Sequence, residues 1–142
     1  MGPVRILVVD DFAEWRRTVA SIISEDPGLD VVGEAVDGLE AVEKCKQLQP
    51  DLVVLDVGLP KISGLEAARR IREVSPNSKI IFLTATPGPG VMREALKIGA
   101  IAYVGKADAL RDLMPAVRAA VGDEEYLRYT ILPNPETDLS ED

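Results

Sequence analysis

Four apolar runs of this chain each lead into a residue able to do chemistry. Arg5-Ile-Leu-Val-Val leads into Asp10-Asp11, Asp51-Leu-Val-Val-Leu into Asp56, Lys79-Ile-Ile-Phe-Leu into Thr84, and Ala102-Tyr-Val-Gly into Lys106. Three carboxylates, one hydroxyl and one ammonium on four candidate strand ends can hold a divalent cation and accept a phosphoryl group on a carboxylate. Crowded carboxylates raise one another's pKa unless a cation intervenes. Mg2+ is the natural candidate, because it prefers a few carboxylates, a carbonyl and several waters. Asp10-Asp11 would also suit a helix N-cap, but one Asp alone satisfies that task. With Asp56 at an adjacent strand end, the metal-binding role is the stronger.

Asp56 is the best nucleophile candidate, since a carboxylate can attack phosphorus to give an aspartyl phosphate. Its alternative role is a plain turn residue before Gly58 and Pro60. The Thr84 hydroxyl could donate to a phosphoryl oxygen, and Lys106 could pair with another as a fixed positive charge. Ala85, being small, leaves room for a phosphodonor. Tyr103 fits either plain strand packing or an aromatic that rotates inward when Thr84 moves; the sequence leaves both open.

The elements that position these residues follow from periodicity. The apolar runs are continuous and rich in Val and Ile, as in strands buried on both faces of a parallel sheet. Between them lie segments with helical spacing: Trp15, Val19, Ile22 and Ile23; Leu39, Val42, Cys45 and Leu48; Leu65, Ala68, Ile71 and Val74; Val91, Ala95, Leu96 and Ile98; Leu110, Leu113, Val117 and Val121. Pro27-Gly28, Asp37-Gly38, Gln49-Pro50, Pro76-Asn77, Pro87-Gly88-Pro89-Gly90 and Gly99 punctuate the boundaries. Strict alternation predicts a doubly wound α/β fold with a five-stranded parallel sheet between two helical layers. Periodicity does not fix strand order. The commoner five-stranded order, 2-1-3-4-5, places strands 1 and 3 side by side at the switch point, and only with those strands adjacent do Asp10, Asp11 and Asp56 share one crevice.

The chain has 142 residues and a net charge of −8. Residues 1–121 are expected to form one domain and residues 122–142 an acidic, Pro-containing tail or linker. That tail holds seven acids and one base, a net of −6, so the body is nearly neutral. Its acidity favours a solvated linker, whereas Tyr126, Tyr129, Ile131 and Leu132 would favour docking. No basic stripe suggests nucleic-acid contact. There is no histidine, which excludes a His nucleophile or phosphodonor, a Ser-His triad and a His-ligated metal within this sequence. The single Cys45 lies on an apolar helix face and reads as a buried, inert thiol. Neither a signal peptide nor a membrane-spanning run is expected, so the expected location is cytoplasmic. Trp15 reads as core packing.

Asp10-Asp11, Asp56 with Pro60 and Gly64, Thr84-Ala85, Gly99-Ala100 and Tyr103-Val-Gly-Lys106 together give the stretch from Val4 to about Val121 a specific likeness. It resembles a response-regulator receiver domain of two-component signalling. The resemblance implies a flavodoxin-like three-layer sandwich. It implies that Asp56 takes a phosphoryl group from the phosphohistidine of a histidine kinase or phosphotransfer protein. It further implies that Asp11, Asp56 and the Gly58 carbonyl bind Mg2+ directly, with Asp10 acting largely through water. Thr84 and Tyr103 would relay phosphorylation to the face built from the fourth helix, fifth strand and fifth helix. Such proteins are switches rather than metabolic enzymes; some dimerise, and some are the N-terminal part of a transcriptional regulator. Many receivers carry proline after the lysine; here it is Ala107, so a trans bond is expected.

Three other readings compete. A haloacid-dehalogenase-like phosphatase needs a second Asp two residues after the nucleophile, where Gly58 stands. A flavin or nucleotide binder needs a glycine- or hydroxyl-rich phosphate loop after the first strand, where Asp10-Asp11-Phe12-Ala13-Glu14 would repel phosphate. A receiver-like interaction module that is never phosphorylated is the remaining alternative.

Overall fold

A computed structural model describes residues 2–122; the acidic segment 123–142 lies outside the described residues. Strands and helices alternate throughout: β1 (Val4–Val9), α1 (Ala13–Ser24), β2 (Leu29–Ala35), α2 (Gly38–Leu48), β3 (Leu52–Asp56), α3 (Gly64–Val74), β4 (Lys79–Thr84), α4 (Pro89–Ile98), β5 (Ala102–Gly105) and α5 (Ala109–Val121). A 3-10 turn over Lys106–Asp108 joins β5 to α5. The strands pair in parallel in the order β2-β1-β3-β4-β5, as the shared crevice requires. Helices α1 and α5 touch on one side of the sheet, while α2 meets α3 and α3 meets α4 on the other.

The continuous apolar runs become the central strands. Ile6–Val9, Leu52–Leu55 and Ile80–Leu83 are all at most 2% exposed. Burying each large aliphatic or aromatic side chain contributes about 1.5–3 kcal/mol, so these strands are the rigid frame on which the site stands. Cys45 is fully buried, and desolvation pushes its thiol up to about 12, as expected for an inert core residue.

Helix starts are legible in the local chemistry. Asp37 caps α2 by accepting the Glu40 N–H at 2.8 Å, and Ser63 caps α3 by accepting the Glu66 N–H at 3.1 Å. Pro89 opens α4, so the proline- and glycine-rich segment after Thr84 is shorter as a loop than the sequence suggests. Gly99 closes α4 with a φ of +102°, where a side chain would be strained.

Three expected core residues lie on the surface. Leu39 and Val121 are each 44% exposed and Leu110 is 84% exposed. The buried stripes run instead through Gly38, Ala41 and Cys45 in α2, and through Ala109, Leu113, Ala116, Val117 and Ala120 in α5. Leu39 sits one residue, or 100° of helix rotation, beyond its stripe, whereas Leu110 shares the angular position of buried Val117 and is exposed in the first turn of α5. In α4 the buried pair is Met92 and Ala95, with Val91, Leu96 and Ile98 only partly covered. No described peptide bond is cis, so Lys106–Ala107 is trans as expected. No described helix is long and apolar enough to cross a membrane.

Candidate functional site

Strand register brings the chemical residues to one edge. Val9 pairs with Leu55, so Asp10 and Asp56 follow at the same level. Asp56 pairs with Leu83, and Thr84 pairs with Gly105, just before Lys106. Asp10, Asp11 and Asp56 each offer a carboxylate oxygen within 4.8 Å of the others. Asp10 and Asp56 are 2% and 6% exposed, whereas Asp11 faces solvent.

The two oxygens of Asp10 have different roles. Oδ1 accepts the Phe12 N–H at 2.9 Å, which satisfies one amide at the start of α1. Oδ2 is buried and accepts no aligned hydrogen bond, although Lys106 Nζ stands 2.6 Å away as an ion pair. The N-cap position of α1 is Phe12 and no side chain caps it, so the alternative of Asp10-Asp11 as a helix N-cap is not taken up. Arg16 fixes this loop from behind, donating to the Asp10 carbonyl at 2.7 Å and to Glu34 at 2.9 Å.

Asp56 Oδ1 accepts the Gly58 N–H at 3.3 Å, and Oδ2 lies 3.4 Å from Lys106 Nζ. Burial raises the Asp56 pKa first, and the nearby Asp10 charge adds to this; the Lys106 ammonium partly offsets both. Three carboxylates against one ammonium leave two negative charges, which a divalent cation would neutralise. The buried Oδ2 of Asp10 supplies a ligand atom with lone pairs to spare. The donor set is all oxygen, and so fits a hard cation such as Mg2+.

Thr84 is 2% exposed and its Oγ1 accepts the Thr86 N–H at 3.2 Å, which leaves the hydroxyl proton available to donate. Tyr103 is 3% exposed and its hydroxyl accepts the Gly88 N–H at 3.3 Å, tying β5 to the start of α4. This buried placement is compatible with both readings of Tyr103. The loop after Asp56 is pinned as well: Lys61 Nζ lies 3.2 Å from Asp37 Oδ2, and the Gly64 N–H donates to the Val57 carbonyl at 2.7 Å.

Asp10, Asp11, Asp56, Thr84 and Lys106 thus meet at the carboxyl edge, while Gly58 borders it through its amide. Arg16 was not legible as part of the site, because its partners lie in a different strand and turn. Trp15 is only half-buried, and its ring centroid is 5.5 Å from Lys106 Nζ, so core packing describes only part of its role.

A doubly wound sheet with this carboxylate and lysine cluster at its switch point defines the receiver module of two-component signalling. The chain belongs to the response regulator receiver domain family, whose model matches residues 6–118. It is 41% identical over 102 residues to the chemotaxis protein CheY of Thermotoga maritima, covering 72% of this chain and 84% of that protein. It is 40% identical over 119 residues to a protein-glutamate methylesterase/protein-glutamine glutaminase of Methanosarcina acetivorans, covering 83% of this chain but only 34% of that protein. A LuxR-family two-component response regulator from Aurantimonas sp. SI85-9A1 superposes with a TM-score of 0.86 at 31% identity, covering 99% of this chain and 97% of that one.

Proposed function

We propose that this chain is a phosphorylation-dependent switch in which Asp56 accepts a phosphoryl group from a partner's phosphohistidine. The observation that carries the reading is the meeting of Asp10, Asp11, Asp56 and Lys106 within a few ångströms at a buried sheet edge. In the transfer, an Asp56 carboxylate oxygen bonds to phosphorus as the phosphorus–nitrogen bond breaks, and the bonding pair stays on the donor imidazole. Asp10, Asp11, Asp56 and the Gly58 carbonyl would hold Mg2+, which when bound offsets charge on the phosphoryl oxygens. Lys106, 3.4 Å from Asp56 Oδ2, would pair with one of those oxygens, and Thr84 would donate its hydroxyl to another.

Thr84 and Tyr103 then carry the change outward. Tyr103 is bonded to Gly88, the residue that precedes α4, so a shift of Thr84 in the neighbouring strand alters support for both α4 and β5. The output is a population shift in the α4–β5–α5 face, read by a kinase, a phosphotransfer protein, a second copy or an attached output domain. Residues 1–121 act as the switch and residues 122–142 as a tail or linker; the function is signalling in the cytoplasm rather than turnover of a metabolite.

Intact-protein mass after incubation with acetyl phosphate tests this directly. A phosphoryl adduct that requires Mg2+ and is absent from Asp56→Asn is the expected result. Absence of any adduct with acetyl phosphate and with a panel of phosphorylated histidine kinases would leave the unphosphorylated interaction module as the better reading.

A further inference from the structure

Lysine is a poor fixed charge unless something fixes it. Its ammonium rides on a flexible four-carbon stem, and ordering that stem has a large entropic cost. Lys106 nonetheless stands between two carboxylates, 2.6 Å from Asp10 Oδ2 and 3.4 Å from Asp56 Oδ2, with its side chain 19% exposed. Neither contact alone fixes the ammonium. The Asp10 contact is an ion pair without hydrogen-bond alignment, and the Asp56 contact is long.

A third wall is present. Trp15 lies in the first turn of α1, and its ring centroid is 5.5 Å from Lys106 Nζ. The ring is half-buried at the rim of the core, and its Nε1 is shielded from solvent with no hydrogen-bond partner. A buried indole N–H without a partner is unfavourable, so the ring is not placed there for its polar atom. Its face, however, is the best available π surface for a cation, and the attraction persists to about 6 Å from the centroid. That attraction has no narrow angular optimum, unlike a hydrogen bond.

We infer that Trp15 is a positioning residue for Lys106, holding the ammonium at the acidic cluster through its ring face. The inference rests on the phosphoacceptor role of Asp56 for its consequence, but the contact between Trp15 and Lys106 stands independently of it.

The test uses the full chain in wild type, Trp15→Phe, Trp15→Leu and Trp15→Met, each with Lys106 or Lys106→Met. Adduct formation from acetyl phosphate and Mg2+ is followed by mass, and urea unfolding by circular dichroism. Trp15→Leu and Trp15→Met should slow adduct formation about fivefold, while Trp15→Phe, which keeps a ring face, stays within about twofold. In the Lys106→Met background the difference between Leu and Phe should vanish. Equal rates for the Phe and aliphatic variants, or an aliphatic effect undiminished without Lys106, would overturn the inference, because plain packing predicts either. If wild type takes no adduct, the phosphoacceptor reading fails separately. The unfolding cycle then decides: non-additivity of about threefold or more between Trp15→Leu and Lys106→Met supports the contact, and additivity overturns it.

Discussion

A Cβ placed on Gly64 would stand 2.0 Å from the carbonyl oxygen of Asp56 and 2.7 Å from the Val57 Cα. The first residue of α3 therefore presses directly against the backbone of the candidate acceptor. Nothing flexible can yield there, since the atoms met are main chain. Gly64→Ala should shift the Asp56 backbone, destabilise the domain by roughly 2–3 kcal/mol and slow adduct formation about tenfold. Urea unfolding and the acetyl phosphate assay measure the two effects. Wild-type values in both would show that the contact relaxes without disturbing Asp56.

The pH dependence of stability reports the environment of Asp56. Burial, reinforced by Asp10, raises its pKa, with Lys106 opposing. A raised carboxylate pKa means that the folded state binds the proton more tightly than the unfolded chain does. Ionised Asp56 therefore costs stability above its folded pKa. That cost diminishes as pH falls through the folded pKa, and is gone below the unfolded value of about 3.9. Asp56→Asn should be more stable than wild type at neutral pH, with the gap closing on acidification. A gap that widens as pH falls would contradict the sign. Added Mg2+ should stabilise wild type more than Asp56→Asn, by mass action on the folded state.

Much of this site was legible before any coordinates, and for a physical reason. Parallel strands buried on both faces read as unbroken apolar runs, so the first polar residue after each run marks the sheet edge where chemistry collects. Asp10, Asp56, Thr84 and Lys106 were found that way. The requirement that Asp10 and Asp56 share a crevice then selected the strand order that the sheet adopts. Arg16 and Gly64 stood outside this logic, because each acts on a residue from another element, and periodicity reports a face without naming what it touches. Leu110 shows the same limit. Its apolar type and its spacing from Leu113 and Val117 put it on the buried side of α5, but it lies in the helix's first turn and is exposed there, and periodicity does not report where along its length a helix is covered.

The far edge of the sheet supplies a control. Ser75 and Ser78 are each 1% exposed; their hydroxyls lie 2.6 Å apart, and Ser78 donates to the Pro50 carbonyl at 2.5 Å. This buried chain of hydrogen bonds closes the connection before β4, at the end opposite Thr84. Ser78→Ala would leave the Pro50 carbonyl without this donor, at a cost of about 1–3 kcal/mol. The adduct rate below the unfolding transition should be unchanged. A comparable loss of rate would mean that strain at this end reaches the acceptor, and that Gly64→Ala cannot be read as a local effect.

If Asp56 is phosphorylated as proposed, the open position at Gly58 should shorten the life of the phosphoryl group. It lies two residues beyond Asp56, and nothing stands within 4 Å of the place a Cβ would occupy. Its N–H donates to Asp56 Oδ1 at 3.3 Å, so the backbone at residue 58 is held against the acceptor while the side-chain position beside it is open. Hydrolysis of an aspartyl phosphate needs a water in line with the bond that breaks, and an open flank admits one. A methionine side chain is long and adaptable enough to cover that flank, while the open surroundings impose no clash. Gly58→Met should therefore slow loss of the adduct by about three- to tenfold, with stability within roughly 0.5 kcal/mol of wild type. Gly58→Ala should fall between the two, because one methyl covers less of the approach. Adduct decay, followed by mass after acetyl phosphate is removed by rapid desalting, measures the series directly. Equal decay in all three proteins would mean that water reaches the phosphoryl group from another side, and the openness at Gly58 would then have no bearing on the lifetime of the signal.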